Sequence, residues 1–240
     1  MIAGVSPTDA AEPPTVLGRA DGVLGELVLR ARSSGGVATV ELIGNGVFLM
    51  DSGNVTSERA LARRTLQALG SGKEPGRAWH LLVGGLGLGV TAIELLADPR
   101  VATLTVVEVE PALVRWVRRG LVPGAQSLVT NPRVDVVVEN VTNVLARTAP
   151  GSLDAVLLDV DNGPDFLTHP TNGAIYRRPG LAAAAATLRA GGLLSVWSSS
   201  RSPALEADLG AVLGCCDARP IRVRRAGRDL EYVLYTARRG

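Results

Sequence analysis

Four glycines and one acid carry the first chemical signal. Gly84, Gly85, Gly87 and Gly89 follow the apolar run Leu81-Leu82-Val83, and Glu108 closes the next apolar run, Leu104–Val107. Glycines after a strand let backbone approach a ligand closely, and an acid at the tip of the following strand accepts hydrogen bonds from ribose hydroxyls. Gly89 and Glu108 are 19 residues apart, the separation such a loop and ribose acid need. The pattern therefore predicts a site for an adenosine-containing ligand. Glu110 reads as a solvated neighbour of Glu108. Glu139 and Asn140 follow the third strand of this half and are expected at the adenine edge, where an oxygen can accept from the adenine amino group.

The glycine spacing departs from the dinucleotide fingerprint. Counting from Gly85, the sixth position of G-x-G-x-x-G is Val90. The looser G-x-G-x-G suits loops that bind S-adenosylmethionine. A second acidic group closes the segment Ala155–Leu158: Asp159, with Asp161 and Asp165 in the loop beyond. Ligands of open α/β sheets sit outside the carboxyl ends of the strands. Acids crowded there attract a cationic substrate and raise one another's pKa, which produces a base able to deprotonate an ammonium. Asp159, Asp161 and Asp165 are the acids expected to supply this base and meet the cationic substrate, and Tyr176 is expected either at the same mouth as a substrate contact or packed in the core. His169 reads as a loop residue.

Positioning these groups requires an alternation of strands and helices. Strands read at Leu81–Val83, Thr103–Glu108, Val134–Val138, Ala155–Leu158 and Leu193–Trp197. Helices read at Val90–Leu96, Pro111–Arg119, Val141–Ala146, Ile175–Arg189 and Pro203–Leu213. The near-continuous apolar runs predict a mostly parallel sheet covered on both faces. Ile221–Arg224 and Leu230–Tyr235 predict an antiparallel C-terminal hairpin. The fold class is thus α/β, a Rossmann-like sheet of the S-adenosylmethionine methyltransferase type, preceded by a small β-meander. The domain reading is an unstructured leader over 1–21, the meander over 22–55 and the nucleoside-binding catalytic domain over 56–240. Ser57 or Thr56 is expected to cap the helix that opens this last part.

Composition narrows the classes. The 240 residues are 46% hydrophobic with a net charge of +2 and only 3% aromatics, which argues against nucleic acid as a partner. Arginines at 222, 224, 225, 228, 238 and 239 read as water-facing groups that block edge pairing. Adjacent Cys215 and Cys216 have no metal-ligand spacing and read as reduced thiols of a cytoplasmic protein. No membrane span and no metal are expected.

Taken together, these motifs resemble the polyamine aminopropyltransferases, the spermidine synthase family. The resemblance rests on Leu82–Val90, Val107-Glu-Val-Glu110, Val138-Glu-Asn140, Leu158-Asp-Val-Asp-Asn-Gly-Pro164 and the segment from Ile175 to Trp197. It implies transfer of an aminopropyl group from decarboxylated S-adenosylmethionine to an amine. Glu108 would then hold the ribose, Glu139 the adenine side, and Asp159 would be the base. The family is often dimeric, which makes a homodimer an expectation of the resemblance alone. Gly87 stands where the family carries a donor-gripping aspartate. Ser57-Glu58-Arg59 stands where it has a tyrosine, a histidine or glutamine, and a glutamate. An arginine there is unfavourable to a cationic chain. These departures leave two alternatives: an S-adenosylmethionine-dependent methyltransferase, or a noncatalytic nucleoside-binding homologue.

Overall fold

The structure is a computed structural model that describes residues 13–34, 37–71, 76–160, 162–167, 170–225 and 227–240. Four antiparallel strands come first: β1 (Thr15–Gly22), β2 (Gly25–Ser34), β3 (Val37–Gly44) and β4 (Val47–Asp51), paired in chain order. Helix α1 (Thr56–Gly70) leads into the alternating part. This comprises β5 (Trp79–Gly84), α2 (Val90–Leu96), β6 (Val101–Glu108), α3 (Pro111–Arg118), α4 (Gln126–Thr130), β7 (Val134–Val138), α5 (Val141–Arg147) and β8 (Leu153–Leu158). After a 3-10 turn at Pro170–Tyr176 come α6 (Arg178–Thr187), β9 (Leu188–Ser198), α7 (Pro203–Leu213), β10 (Asp217–Arg225) and β11 (Arg228–Arg238).

The seven-stranded sheet has the order β10-β11-β9-β8-β5-β6-β7. Strands β5 to β9 run parallel, whereas β11 and β10 are antiparallel. Side chains of the central strands alternate between two buried layers. Leu81, Val83, Ala155 and Leu157 enter one layer with α1 to α4, and Leu82, Val156 and Leu158 enter the other with α5 to α7. This two-sided burial is why the strands read as unbroken apolar runs. The chain reverses its direction of winding between β5 and β8. The loops leaving those two strands therefore frame the crevice where ligands of such sheets bind.

Three local differences from the sequence reading have clear causes. Residues 15–21, assigned to the unstructured leader, belong to β1. Its weak apolar pattern is held by tertiary contacts: Leu17 and Ala20 pack on the core, and the turn after it is tied down by Glu110. The N-cap of α1 is Val55, without a side-chain cap, and Ser57 instead donates its hydroxyl to Glu58. The expected single helix over 175–189 is divided. Arg177 is extended, Pro179 sits in the first turn of α6, and Leu188 already belongs to β9.

The meander docks rather than folding alone. Leu27, Leu29, Val40 and Leu42 are buried in the same layer as Leu61 and Leu113, and each such leucine contributes roughly 1.5–3 kcal/mol. Glu110, expected in solvent, is buried. Its carboxylate accepts from the backbone amides of Val23 (2.9 Å) and Leu24 (2.8 Å), fastening the β1–β2 turn to the sheet's crest. Glu110→Ala is expected to lower unfolding free energy by about 1–3 kcal/mol in urea titrations and to open the 22–25 turn to proteases.

Candidate active site

The loop after β5 passes directly over Asp159. Gly85 has φ of +95°, and a side chain there would overlap the Asp159 carbonyl oxygen. The strands are locked in register at this point: Asp159 N donates to Gly84 O at 2.9 Å and Gly85 N donates to Val107 O at 2.8 Å. Gly87 (φ +50°) is the second position where only glycine fits easily, because a Cβ would lie 2.7 Å from the Met50 sulfur. Gly84 and Gly89 serve packing. The first abuts Val141 and Val160; the second, left-handed at φ +80°, starts α2 against Leu128.

A cavity of about 290 Å³ opens between this crest and the meander. Glu108 forms part of its wall and is buried. Its two carboxylate oxygens accept from Leu86 N and Glu110 N, both at 2.9 Å. Burial raises its pKa, and these amide donors work against the rise. Each oxygen keeps acceptor capacity beyond its one amide bond. Glu108, Gly85, Val109 and Val160 also border a smaller cavity of about 60 Å³, which Glu139, Asn140, Val141 and Thr142 help to line. The two spaces meet at Glu108. Asn140 caps α5, its oxygen accepting from Thr142 N at 2.9 Å. Glu139 is half-buried and its pKa is lowered, chiefly by the Asn140 amide it accepts from.

Asp159 is half-buried at the tip of β8 and lines the larger cavity, where Thr91 donates to it at 2.9 Å. Loss of solvent and the nearby Glu58 carboxylate push its pKa up to about 7. Glu58 itself is buried in the first turn of α1, and burial raises its pKa too. With Glu108, three carboxyls with raised pKa thus line one space.

The other sequence-derived contacts divide. Asp161 and His169 lie outside the described residues. Asp165 is exposed and lines neither cavity. Tyr176, expected at the mouth or in the core, is not at the mouth but buried in the α6 layer, because the 3-10 turn directs it into the core beside Ile175. Glu58 was missed as a site residue, although an acid in a first helical turn was visible. Its neighbour Arg59 is exposed and pairs with Glu94 at 3.7 Å, away from the cavity. The arginine that does reach the cavity is Arg225, from the tip of the β10–β11 hairpin. Met50 was missed as well; its sulfur accepts from Leu88 N at 3.3 Å and covers Gly87. Of the remaining C-terminal arginines, Arg222, Arg224 and Arg228 are exposed. Arg238 and Arg239 instead cap carbonyls at the ends of α1 and α6.

No protein-family model matches the sequence. Over 125 residues, however, the chain is 35% identical to proteins named polyamine aminopropyltransferase from Mycobacterium tuberculosis and Mycobacterium bovis. The chain is similar to the polyamine aminopropyltransferases. The match takes in 51% of this chain and 23% of those relatives, so it spans under a quarter of their length. Solved spermidine synthases share the fold. The Thermotoga maritima enzyme superposes with a TM-score of 0.75 over 94% of this chain and 73% of its own, at 14% identity. A spermidine synthase in complex with the transition-state analogue AdoDATO gives 0.77 over 94% and 74%, also at 14% identity. A probable spermidine synthase from Corynebacterium glutamicum gives 0.66 at 15% identity, over 92% and 79%. The aminopropyltransferase-like fold thus comprises the methyltransferase-type sheet together with the four-stranded meander. Among the described residues, no helix is long and apolar enough to cross a membrane. Nor do any three His, Cys, Asp or Glu among them cluster as a metal site would.

Proposed function

We propose that this protein transfers an aminopropyl group from decarboxylated S-adenosylmethionine to a small amine, as a cytoplasmic enzyme with Asp159 as general base. One observation carries the reading: a carboxyl with its pKa lifted to about 7 lies under the glycine loop, in the cavity that Glu108 borders. In this reading the adenine occupies the smaller cavity beside Glu139 and Asn140. The ribose hydroxyls donate to Glu108, and Gly85 and Gly87 let the donor lie against the main chain. Asp159 takes a proton from the acceptor ammonium. The freed lone pair attacks the CH2 carbon next to sulfur, the C–S bond breaks, and its electrons return to sulfur as neutral methylthioadenosine. The enzyme's contribution is alignment plus one base. The acidic wall favours the two cationic reactants over the neutral thioether product.

Calorimetry with S-adenosylmethionine, its decarboxylated form and methylthioadenosine, followed by mass spectrometry of the product, tests this assignment. Tighter binding of the decarboxylated donor and an amine heavier by an aminopropyl group are expected. Preference for the carboxylated donor with a methylated product would establish the methyltransferase alternative. Nucleoside binding without any product would establish the noncatalytic one.

The base assignment also fixes a pH profile. Only ionised Asp159 accepts a proton, so kcat/KM rises with pH and levels off above a midpoint at about 7. Removing a neighbouring negative charge eases ionisation. Glu58→Gln is therefore expected to move the midpoint down by about one unit. An unmoved midpoint in that variant excludes Glu58 as the group that tunes Asp159.

A further inference from the structure

One cationic residue of the cavity lining has the wrong chemistry for an all-cationic pair of reactants. Arg225 reaches the cavity from the β10–β11 hairpin, stacked over Phe48 at 4.7 Å. Asp51 lies 3.5 Å from its Nε without hydrogen-bond geometry, and Arg225 also interacts electrostatically with Glu58. The buried Nε–H has no acceptor. Trp197 also lines the cavity; its buried Nε1–H has no acceptor either, and its ring is fixed against Tyr232 at 5.0 Å. Buried donors are almost always satisfied, and each one left open costs free energy. A planar guanidinium and an indole N–H lining one cavity are a donor set matched to carboxylate oxygens.

We propose that Arg225 and Trp197 form a carboxylate subsite, so that one of the two molecules meeting in this cavity is an amino acid rather than a simple cation. The inference rests on the transferase reading above. Its ammonium end faces Asp159 and Glu58, and its carboxylate faces Arg225. Two sources supply that chemistry. One is an amine acceptor bearing a carboxylate; the other is the undecarboxylated tail of S-adenosylmethionine, whose carbon chain would then be the group transferred. In both cases nitrogen gains the carbon chain, sulfur keeps the C–S electrons and Asp159 takes the proton.

The test crosses two donors, S-adenosylmethionine and its decarboxylated form, with two acceptors, putrescine and ornithine. At least one pair containing a carboxylate is expected to exceed putrescine with the decarboxylated donor by about tenfold or more in kcat/KM. The favoured pair identifies the source. Arg225→Gln is expected to remove that preference, mainly by raising KM for the carboxylated molecule about 30-fold, and Arg225→Lys to restore part of it. Highest turnover with putrescine and the decarboxylated donor, with Arg225→Gln leaving the ranking unchanged, overturns the subsite and leaves the transferase reading intact. Methylthioadenosine calorimetry on the same preparations separates the other failure. No nucleoside binding removes the transferase reading, and the subsite falls with it.

Discussion

Asp159→Asn is expected to cut turnover by a factor of about 10²–10⁴ while leaving methylthioadenosine affinity within about twofold. The amide matches the carboxylate in shape and still accepts from Thr91, but it cannot take a proton. The same change should stabilise the folded protein at alkaline pH. In the unfolded chain the carboxyl titrates near its ordinary 3.8, whereas in the fold it titrates at about 7. A raised folded-state pKa means the native state binds the proton more tightly. Its stability advantage is complete below the unfolded value and disappears as pH rises through about 7. At pH 8 the native state therefore carries an ionised group that is poorly solvated and repelled by Glu58, a penalty asparagine lacks. The gain should be on the order of 2 kcal/mol, below the full linkage value because the half-buried side chain keeps some solvent. At pH 4 the gain vanishes. Urea titrations at the two pH values and steady-state rates measure both effects. Undiminished turnover in this variant would falsify the base assignment.

Glu108→Gln is expected to weaken methylthioadenosine binding by about 10²-fold, read by calorimetry, because a hydrogen bond to a charged acceptor is worth about 1.5–3 kcal/mol. It should also destabilise the apo protein. Both oxygens of Glu108 accept from main-chain amides, of Leu86 and of Glu110. An amide group would set an N–H against one of those N–H groups, leaving a buried donor unsatisfied at a cost of about 1–3 kcal/mol. Glu139→Gln provides the contrast. Its carboxylate keeps partial contact with solvent and already accepts from Asn140 N and Asn143. Its substitution should weaken nucleoside binding by less than about threefold. Equal losses in the two variants would mean that the ribose is not held at Glu108.

The parallel sheet and its glycine turn were legible because their determinants are local. A strand buried on both faces must be an apolar run, and a main chain that passes over Asp159 at a left-handed φ requires glycine at 85. The antiparallel C-terminal hairpin was legible for the same kind of reason. The two short apolar stretches around Gly227 have strand periodicity, and β10 pairs with β11 throughout.

The other half of the site was hidden because its determinants are distant in sequence. Strand β1 looked like a leader, since what orders it is Glu110, more than 80 residues downstream and itself misread as solvated. Arg59 looked like an intruder among acids. A helix places adjacent side chains about 100° apart, however, so turning Glu58 into the cavity sends Arg59 out to Glu94. The cation that does enter comes from the far end of the chain, on a hairpin whose register no local pattern specifies.

The sequence by itself determined the sheet, the glycine turn and the acid beside it, because backbone conformation and strand burial are dictated by neighbouring residues. Only the tertiary structure decided which charges share the cavity. The pKa of Asp159 and the open donors of Arg225 and Trp197 are products of lost solvent and long-range proximity, and neither is encoded at any one position.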